Sequence, residues 1–361
     1  MLRSRIDKHG KRATRKDSPS GLCQIPGLMT TTAFVTGGTG FIGQQLVRAL
    51  REQGHEVLAL VRPASFHGSA AERLRALEAK LVPGDLGNPC SFRDALRGVD
   101  RVFHLAGRLF APGIAAEAYE QLHVEGTHNL LTACQQASHI ESIVHCSTTG
   151  VVGPTGSTPA AEDARPRPSN DYERTKAEGE QLALRMARQH NLPLVVARPA
   201  LVYGPGDLHL LGWFRAIQRG YYRVIGRGDS LLHPIYIDDV VRGMLKCTQV
   251  PAALGRVYHL VGEAPVPIRD LAGAIAQALG KELSRWHLPA APTWGGAALV
   301  EALPGVTLSR LPLTRSRINF MTQSRAYSGD RARHELGFVP QIDLQTGLQH
   351  TVAWYRQEGL L

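Results

Sequence analysis

Tyr172 and Lys176 stand four residues apart in the run NDYERTKAEGEQLALRMARQH. On a helix that spacing puts both side chains on one face, about one turn apart. An ammonium beside a phenol favours the phenolate and draws its pKa from about 10 toward neutrality. Such a tyrosine exchanges a proton with an alcohol or a carbonyl oxygen. The same ammonium has donors to spare for the ribose hydroxyls of a nicotinamide nucleotide. A Tyr-x-x-x-Lys spacing is a common accident, so its weight rests on its surroundings. Ser147, Thr148 and Thr149 end the apolar run SIVHCSTTG, 23 to 25 residues before Tyr172. A hydroxyl there can donate to a substrate oxygen.

The elements that must position this pair begin at TAFVTGGTGFIGQQLVRAL. Ala33 to Val35 is β-rich, Gly37, Gly38, Gly40 and Gly43 form a turn, and Ile42, Leu46, Val47 and Leu50 recur at helical spacing. A pyrophosphate must approach backbone N–H groups at a helix N-terminus, and side chains in the turn would block it. Gly38-x-Gly40-x-x-Gly43 between a strand and an amphipathic helix therefore predicts dinucleotide binding. The second strand, VLALV, ends in Arg62 rather than in the acid that holds the 2′-hydroxyl of NAD. Glu56 lies at its early end. A cation there suits a 2′-phosphate, so NADP(H) is the preferred cofactor and NAD(H) the alternative. The competing reading has Arg62 stacking on the adenine or facing solvent. KLVPGDLGN gives a strand ending at Asp85, placed to reach the adenine, and RVFHLAG ends in Ala106 and Gly107, which allow close approach. SIVHCSTTG and LPLVVARP complete an alternation of apolar strands and helices. The pattern predicts an α/β, Rossmann-type, doubly wound parallel sheet with a smaller C-terminal substrate-binding lobe.

The chain has 361 residues, 43% hydrophobic and 20% charged, with a formal net charge of +10. Half of that charge sits in residues 1–28, where seven cations face Asp7 and Asp17. A short, basic segment without aromatic residues cannot bury enough surface to fold. It reads as a disordered tail or an over-extended start, with Met29 as the initiator; a nucleic-acid-binding arm is disfavoured. The expected division is 1–28 tail, 29–200 cofactor domain, and 201–361 mainly substrate lobe, with some segments returning to the sheet. Five cysteines without paired spacing point away from zinc and disulfides and toward a reduced, cytoplasmic setting. No segment offers about 18 uninterrupted apolar residues, so no stable membrane insertion is expected.

VTGGTGFIG, GDL, VFHLAG, CSTTGVVG, YERTK, ARPALVYGPGD and HPIYIDDV occur in the order typical of the extended short-chain dehydrogenase/reductases. The chain resembles that family across residues 33–240, and again in its C-terminal lobe. The resemblance implies Tyr172 as proton donor or acceptor, Lys176 as its partner and ribose ligand, and Thr148 as the hydroxyl residue, with Ser147 beside it. It implies cofactor contacts at Gly37, Gly40, Phe41, Ile42 and Gly43, at Arg62, Asp85 and Leu86, at Leu105 and Ala106, and at Tyr172, Lys176 and Pro199. One departure stands out. The family often has an asparagine where this chain has His123, in HVEGT; a satisfied core histidine is the simpler reading, a proton relay the other. The family often pairs subunits through two long helices, so a homodimer is expected, built on about 115–137 and the Tyr172 helix.

The family contains dehydrogenases, epimerases and dehydratases, so fold alone does not decide. Dehydratases resemble one another in an acid just after the catalytic threonine, whereas Thr149 and Gly150 follow Thr148 here. Nucleotide-sugar members place an arginine four residues before the aromatic residue of the YVxD segment, where this chain has Leu232. Losing a bidentate phosphate ligand is costly, although Arg227 lies nearby. Residues 209–228 and 286–305 are rich in apolar and aromatic side chains, which suits either a hydrophobic substrate or a packing interface. These features point to the branch resembling 3β-hydroxysteroid dehydrogenases and dihydroflavonol reductases. Hydride transfer between a nicotinamide and a secondary alcohol or ketone on a hydrophobic small molecule is the expected reaction. A nucleotide-sugar epimerase with tightly held NAD is the alternative. A non-catalytic cofactor sensor would have lost the Tyr/Lys pair, which is intact.

Overall fold

A computed structural model of the chain describes residues 30–137, 139–156, 158–303 and 313–361. The tail, residues 1–28, and the start assigned to Met29 lie outside the described residues. Six strands follow one another through the first 200 residues: β1 (Thr32–Thr36), β2 (Glu56–Val61), β3 (Lys80–Pro83), β4 (Arg101–His104), β5 (Ser142–Cys146) and β6 (Leu194–Pro199). A seventh, Val257–Leu260, comes from the C-terminal half and pairs with β6. All seven run parallel, in the order Val257–Leu260, β6, β5, β4, β1, β2, β3. This is the doubly wound parallel sheet that the alternation predicted.

Neighbouring residues within a strand serve opposite cores, which is why the strands are apolar at nearly every position. Val35, Val144 and Val195 pack with Leu46 and Val47 of the helix Phe41–Glu52 and with Val240 and Met244 of the helix Ile237–Gln249. Phe34, Ile143 and Leu194 pack on the other face with Leu130 and Leu131 of Gly126–Gln136 and with Ala183 and Met186 of Asp171–His190. The chain turns outward in opposite directions after β1 and β4. The carboxyl ends of these two adjacent strands therefore border the crevice where such sheets take ligands.

The remaining elements form a lobe around Phe214, Tyr203, Tyr236, Leu271, Ile275 and Tyr355. For the two apolar stretches the structure favours packing over substrate lining. Within 209–228 only His209 reaches the cleft described below; Leu210, Leu211, Phe214, Ile217 and Tyr222 are committed to the lobe core. None of the described residues of 286–305 lines the cleft, and most of their large apolar side chains face outward. Among the described residues, Cys134, Cys146 and Cys247 are buried free thiols and Cys90 is exposed.

Candidate active site

A cleft of about 380 Å³ opens along the carboxyl ends of β1, β4, β5 and β6. Its floor is the turn after β1. Gly37 has φ +73°, and a Cβ there would stand 2.6 Å from the backbone of Leu105 and Ala106. A Cβ on Gly43 would collide with the carbonyl of Gly37. The turn thus tolerates no side chain at either position and keeps its backbone bare. The helix that follows has no side-chain cap and no acid in its first turn. Its orphan N–H groups and positive dipole end are left for an anion. These residues fit the pyrophosphate of a dinucleotide.

Gly40, Phe41, Ile42, Leu105, Ser147, Thr148, Tyr172, Lys176 and Pro199 also line the cleft. Ala106 backs the glycine turn, and its N–H donates to Thr36 Oγ1 at 3.2 Å. Arg62 is exposed immediately after β2, with no ion-pair partner among the described residues. Asp85 is exposed and accepts from the N–H of Gly87 at 2.8 Å. Leu86 is buried beside Gly126, so its side chain is spent on the core rather than offered to the cleft.

Asn170 caps the helix Asp171–His190 by accepting from the N–H of Glu173, which fixes where the first turn begins. Tyr172 and Lys176 then face the cleft together. The Lys176 ammonium is buried and donates to the carbonyl of Cys146 at 2.6 Å. That bond anchors the ammonium to the end of β5, beside the helix turn that carries Tyr172. Burial pushes the Tyr172 hydroxyl well above the usual phenol range, and a hydrogen bond with Thr148 pulls it partly back. The cause is desolvation. Thr148 Oγ1 also accepts from the N–H of Gly150 at 3.1 Å. Ser147 Oγ is buried with no hydrogen-bond partner among the described residues. Such an orphan is costly unless something docks on it, and it faces the same cleft.

His123 sits in a single π-turn, Gln121–Glu125, beneath Tyr172, with ring centroids 5.7 Å apart. Its Nε2 accepts from the N–H of Arg108 at 3.1 Å, so Nδ1 carries the proton and donates to Thr175 Oγ1 at 2.9 Å. Burial and the Lys176 charge hold its pKa at about 3, so the ring is neutral at physiological pH. It ties the loop after β4 to the helix Asp171–His190. Replacing His123 by leucine is expected to cost about 1–3 kcal/mol by leaving the N–H and the hydroxyl short of a partner. An unchanged urea midpoint would show that neither bond matters.

Sequence reasoning missed the far wall. Phe320, Arg325 and Tyr327 close the cleft from the C-terminal half. Arg325 is buried; it donates to Glu173 Oε1 at 2.8 Å and to Ser169 Oγ at 3.0 Å. Glu173 Oε2 accepts from the N–H and hydroxyl of Ser169. No local motif marks these partners, since they lie about 150 residues apart in the chain.

The profile of the NAD dependent epimerase/dehydratase family matches residues 33–260. The chain is 31% identical to a 2-alkyl-3-oxoalkanoate reductase from Stenotrophomonas maltophilia, over 89% of this chain and 98% of that protein. It is 30% identical to a dTDP-glucose 4,6-dehydratase from Streptomyces griseus, over 91% of this chain and 95% of that protein. The solved structure of gox2253 superposes with a TM-score of 0.77 at 29% identity, covering 92% of this chain and all of that one. With the glycine turn, the Tyr/Lys pair and the sheet order already in place, these likenesses settle its kinship: the chain is an enzyme of the NAD dependent epimerase/dehydratase family, with the extended short-chain dehydrogenase/reductase fold.

Proposed function

We propose that the protein is an NADP(H)-preferring oxidoreductase that interconverts a ketone and a secondary alcohol on an apolar small molecule. The observation that carries this reading is one cleft holding Tyr172, Thr148, an unpartnered Ser147 hydroxyl and Lys176 against a wall that includes Leu201, Val202, Leu232 and Phe320. When bound, the nicotinamide supplies or accepts the hydride. Tyr172 exchanges the proton of the substrate hydroxyl, Thr148 orients the phenol, and Ser147 holds the substrate oxygen. Lys176 holds the ribose hydroxyls from its seat on the Cys146 carbonyl. The likeness to a 2-alkyl-3-oxoalkanoate reductase supports a ketone as the reacting group.

The epimerase reading draws on the family's nucleotide-sugar members, but Leu232, which lines the cleft, holds the sequence position where they carry an arginine, and Arg227 faces solvent paired with Asp229. Dehydration needs a free carboxylate to take a proton beside the transient ketone. Among the described residues the cleft is lined by two carboxylates, Glu173 and Asp207, and both oxygens of each already accept hydrogen bonds. Pairing of two subunits through the helical stretch of about 115–137 and Asp171–His190 belongs to the same proposal.

Paired titration with NADPH and NADH, followed by turnover assays on hydrophobic ketones and nucleotide sugars, tests the whole reading. Purified protein that carries bound NAD and epimerises without net redox would replace it. Arg62→Asp is expected to weaken NADPH binding by about ten- to a hundredfold, the worth of one or two charge-assisted hydrogen bonds, while NADH affinity holds or improves. Equal affinities of the parent for both cofactors would demote Arg62 to a bystander and leave the catalytic assignment standing.

A further inference from the structure

Six of the eleven large apolar side chains that lie exposed among the described residues fall between 286 and 303. Trp286 is 81% exposed and Leu299 70%, with Leu288, Trp294, Val300 and Leu303 around them. The helix Ala290–Glu301 is uncharged until its last residue and buries only Ala297. A helix that is apolar all round belongs inside a core or against another apolar phase. Parallel pairing of His287 with Val224 sets Trp286 beside Arg223, two residues from Tyr221, which is 78% exposed. Contiguous exposed apolar surface of this kind marks an interaction site.

The charge around it says what covers it. The flanking segments 219–229, 281–285 and 301–317 contain seven cations among the described residues (Arg219, Arg223, Arg227, Lys281, Arg285, Arg315, Arg317) against Asp229, Glu282 and Glu301. Two copies of a face this positive would repel each other, and a neutral apolar partner would gain nothing from the cations. Tryptophan, tyrosine and leucine rimmed by arginine and lysine match the headgroup layer of an anionic bilayer. No helix among the described residues is long and apolar enough to cross a membrane, so the contact is peripheral. We propose that this face docks the protein on the surface of an anionic lipid bilayer. The helix Arg315–Thr322, which holds Trp294 through Asn319 at 3.2 Å, also presents Phe320 to the cleft. The docking face and the substrate cleft therefore share a wall.

The test is co-sedimentation of the full chain with vesicles of phosphatidylcholine alone and of phosphatidylcholine with one third phosphatidylglycerol. The basic residues 1–28 are attracted to the anionic vesicles as well. The decisive variant is therefore Trp286→Ser with Leu299→Ser, which keeps every cation. The parent is expected to bind the anionic vesicles and hardly the neutral ones, and the double variant to bind at least tenfold more weakly. Its unfolding midpoint and turnover should match the parent, since neither residue touches the core or the cleft. Equal binding by parent and double variant, or no binding by the parent, would overturn the proposal. So would a parent dimer that ignores vesicles and is dissociated by the double variant. Tyr172→Phe should leave vesicle binding untouched, so failure of the catalytic reading and failure of this one are separate results.

Discussion

Tyr172→Phe is expected to lower turnover by about 10²- to 10⁴-fold, the usual worth of a positioned proton donor or acceptor. The affinity for the reduced cofactor should stay within a few fold. The ring remains, so the edge-on packing against His123 and Tyr119 survives and the helix does not move. What is lost is the hydroxyl that the capped helix turn brings into the cleft and that the proposed reaction uses. The pH dependence follows from the direction of the shift. Burial raises the pKa of the phenol, so the protonated form persists through neutral pH and is lost only on the alkaline side. The protonated form is the one that gives a proton to a ketone. Ketone reduction should therefore be flat across neutral pH and fall as the pH becomes alkaline. Alcohol oxidation, which needs the deprotonated form, should rise over the same window. Near-parental turnover by Tyr172→Phe would remove Tyr172 from the chemistry. A reduction rate that peaks below neutrality would show that another group governs the proton.

The glycine turn and the Tyr/Lys pair were legible because each is local. The glycine spacing lies within seven residues and the Tyr/Lys spacing within a single helical turn, although Gly37 is also required by the approach of Leu105 and Ala106. What the spacing could not say is where the ammonium goes. Lys176 spends its short bond on a carbonyl of β5, a partner supplied by the sheet. The two apolar stretches of the C-terminal half teach the same lesson from composition. In Leu211–Gln218, Leu211, Phe214 and Ile217 repeat every third residue and make one buried stripe. In Ala290–Glu301 the apolar residues go all the way round, so no face is singled out for burial. Composition alone left substrate lining and packing interface open for both; periodicity separates them. Arg325 and Glu173 were invisible for a different reason, since 152 residues of chain separate two groups that meet in the cleft wall.

The same kind of long-range partnership carries the second large effect. Arg198, in β6, holds Glu180 with bonds of 2.5 and 2.9 Å, and both side chains are almost wholly buried. It also donates to the carbonyl of Glu162 at 2.9 Å. Glu180 lies one turn beyond Lys176, so this pair clamps the helix Asp171–His190 to the sheet. Arg198→Met should cost about 3–5 kcal/mol, because it removes the hydrogen-bonded counter-charge of a buried carboxylate and leaves it only the field of Lys176, one turn away. The cost is the desolvation of the orphan, not the worth of the bond. Removing both partners together, Arg198→Met with Glu180→Leu, should therefore recover most of the loss in a urea titration. If the double variant unfolds as easily as the single one, the guanidinium is contributing by its bonds to Glu162 and by packing, and the clamp is not electrostatic. If it recovers stability but turnover stays low, the ion pair serves to aim Tyr172 and Lys176 rather than to hold the fold. The buried charge then earns its place through the geometry of the site.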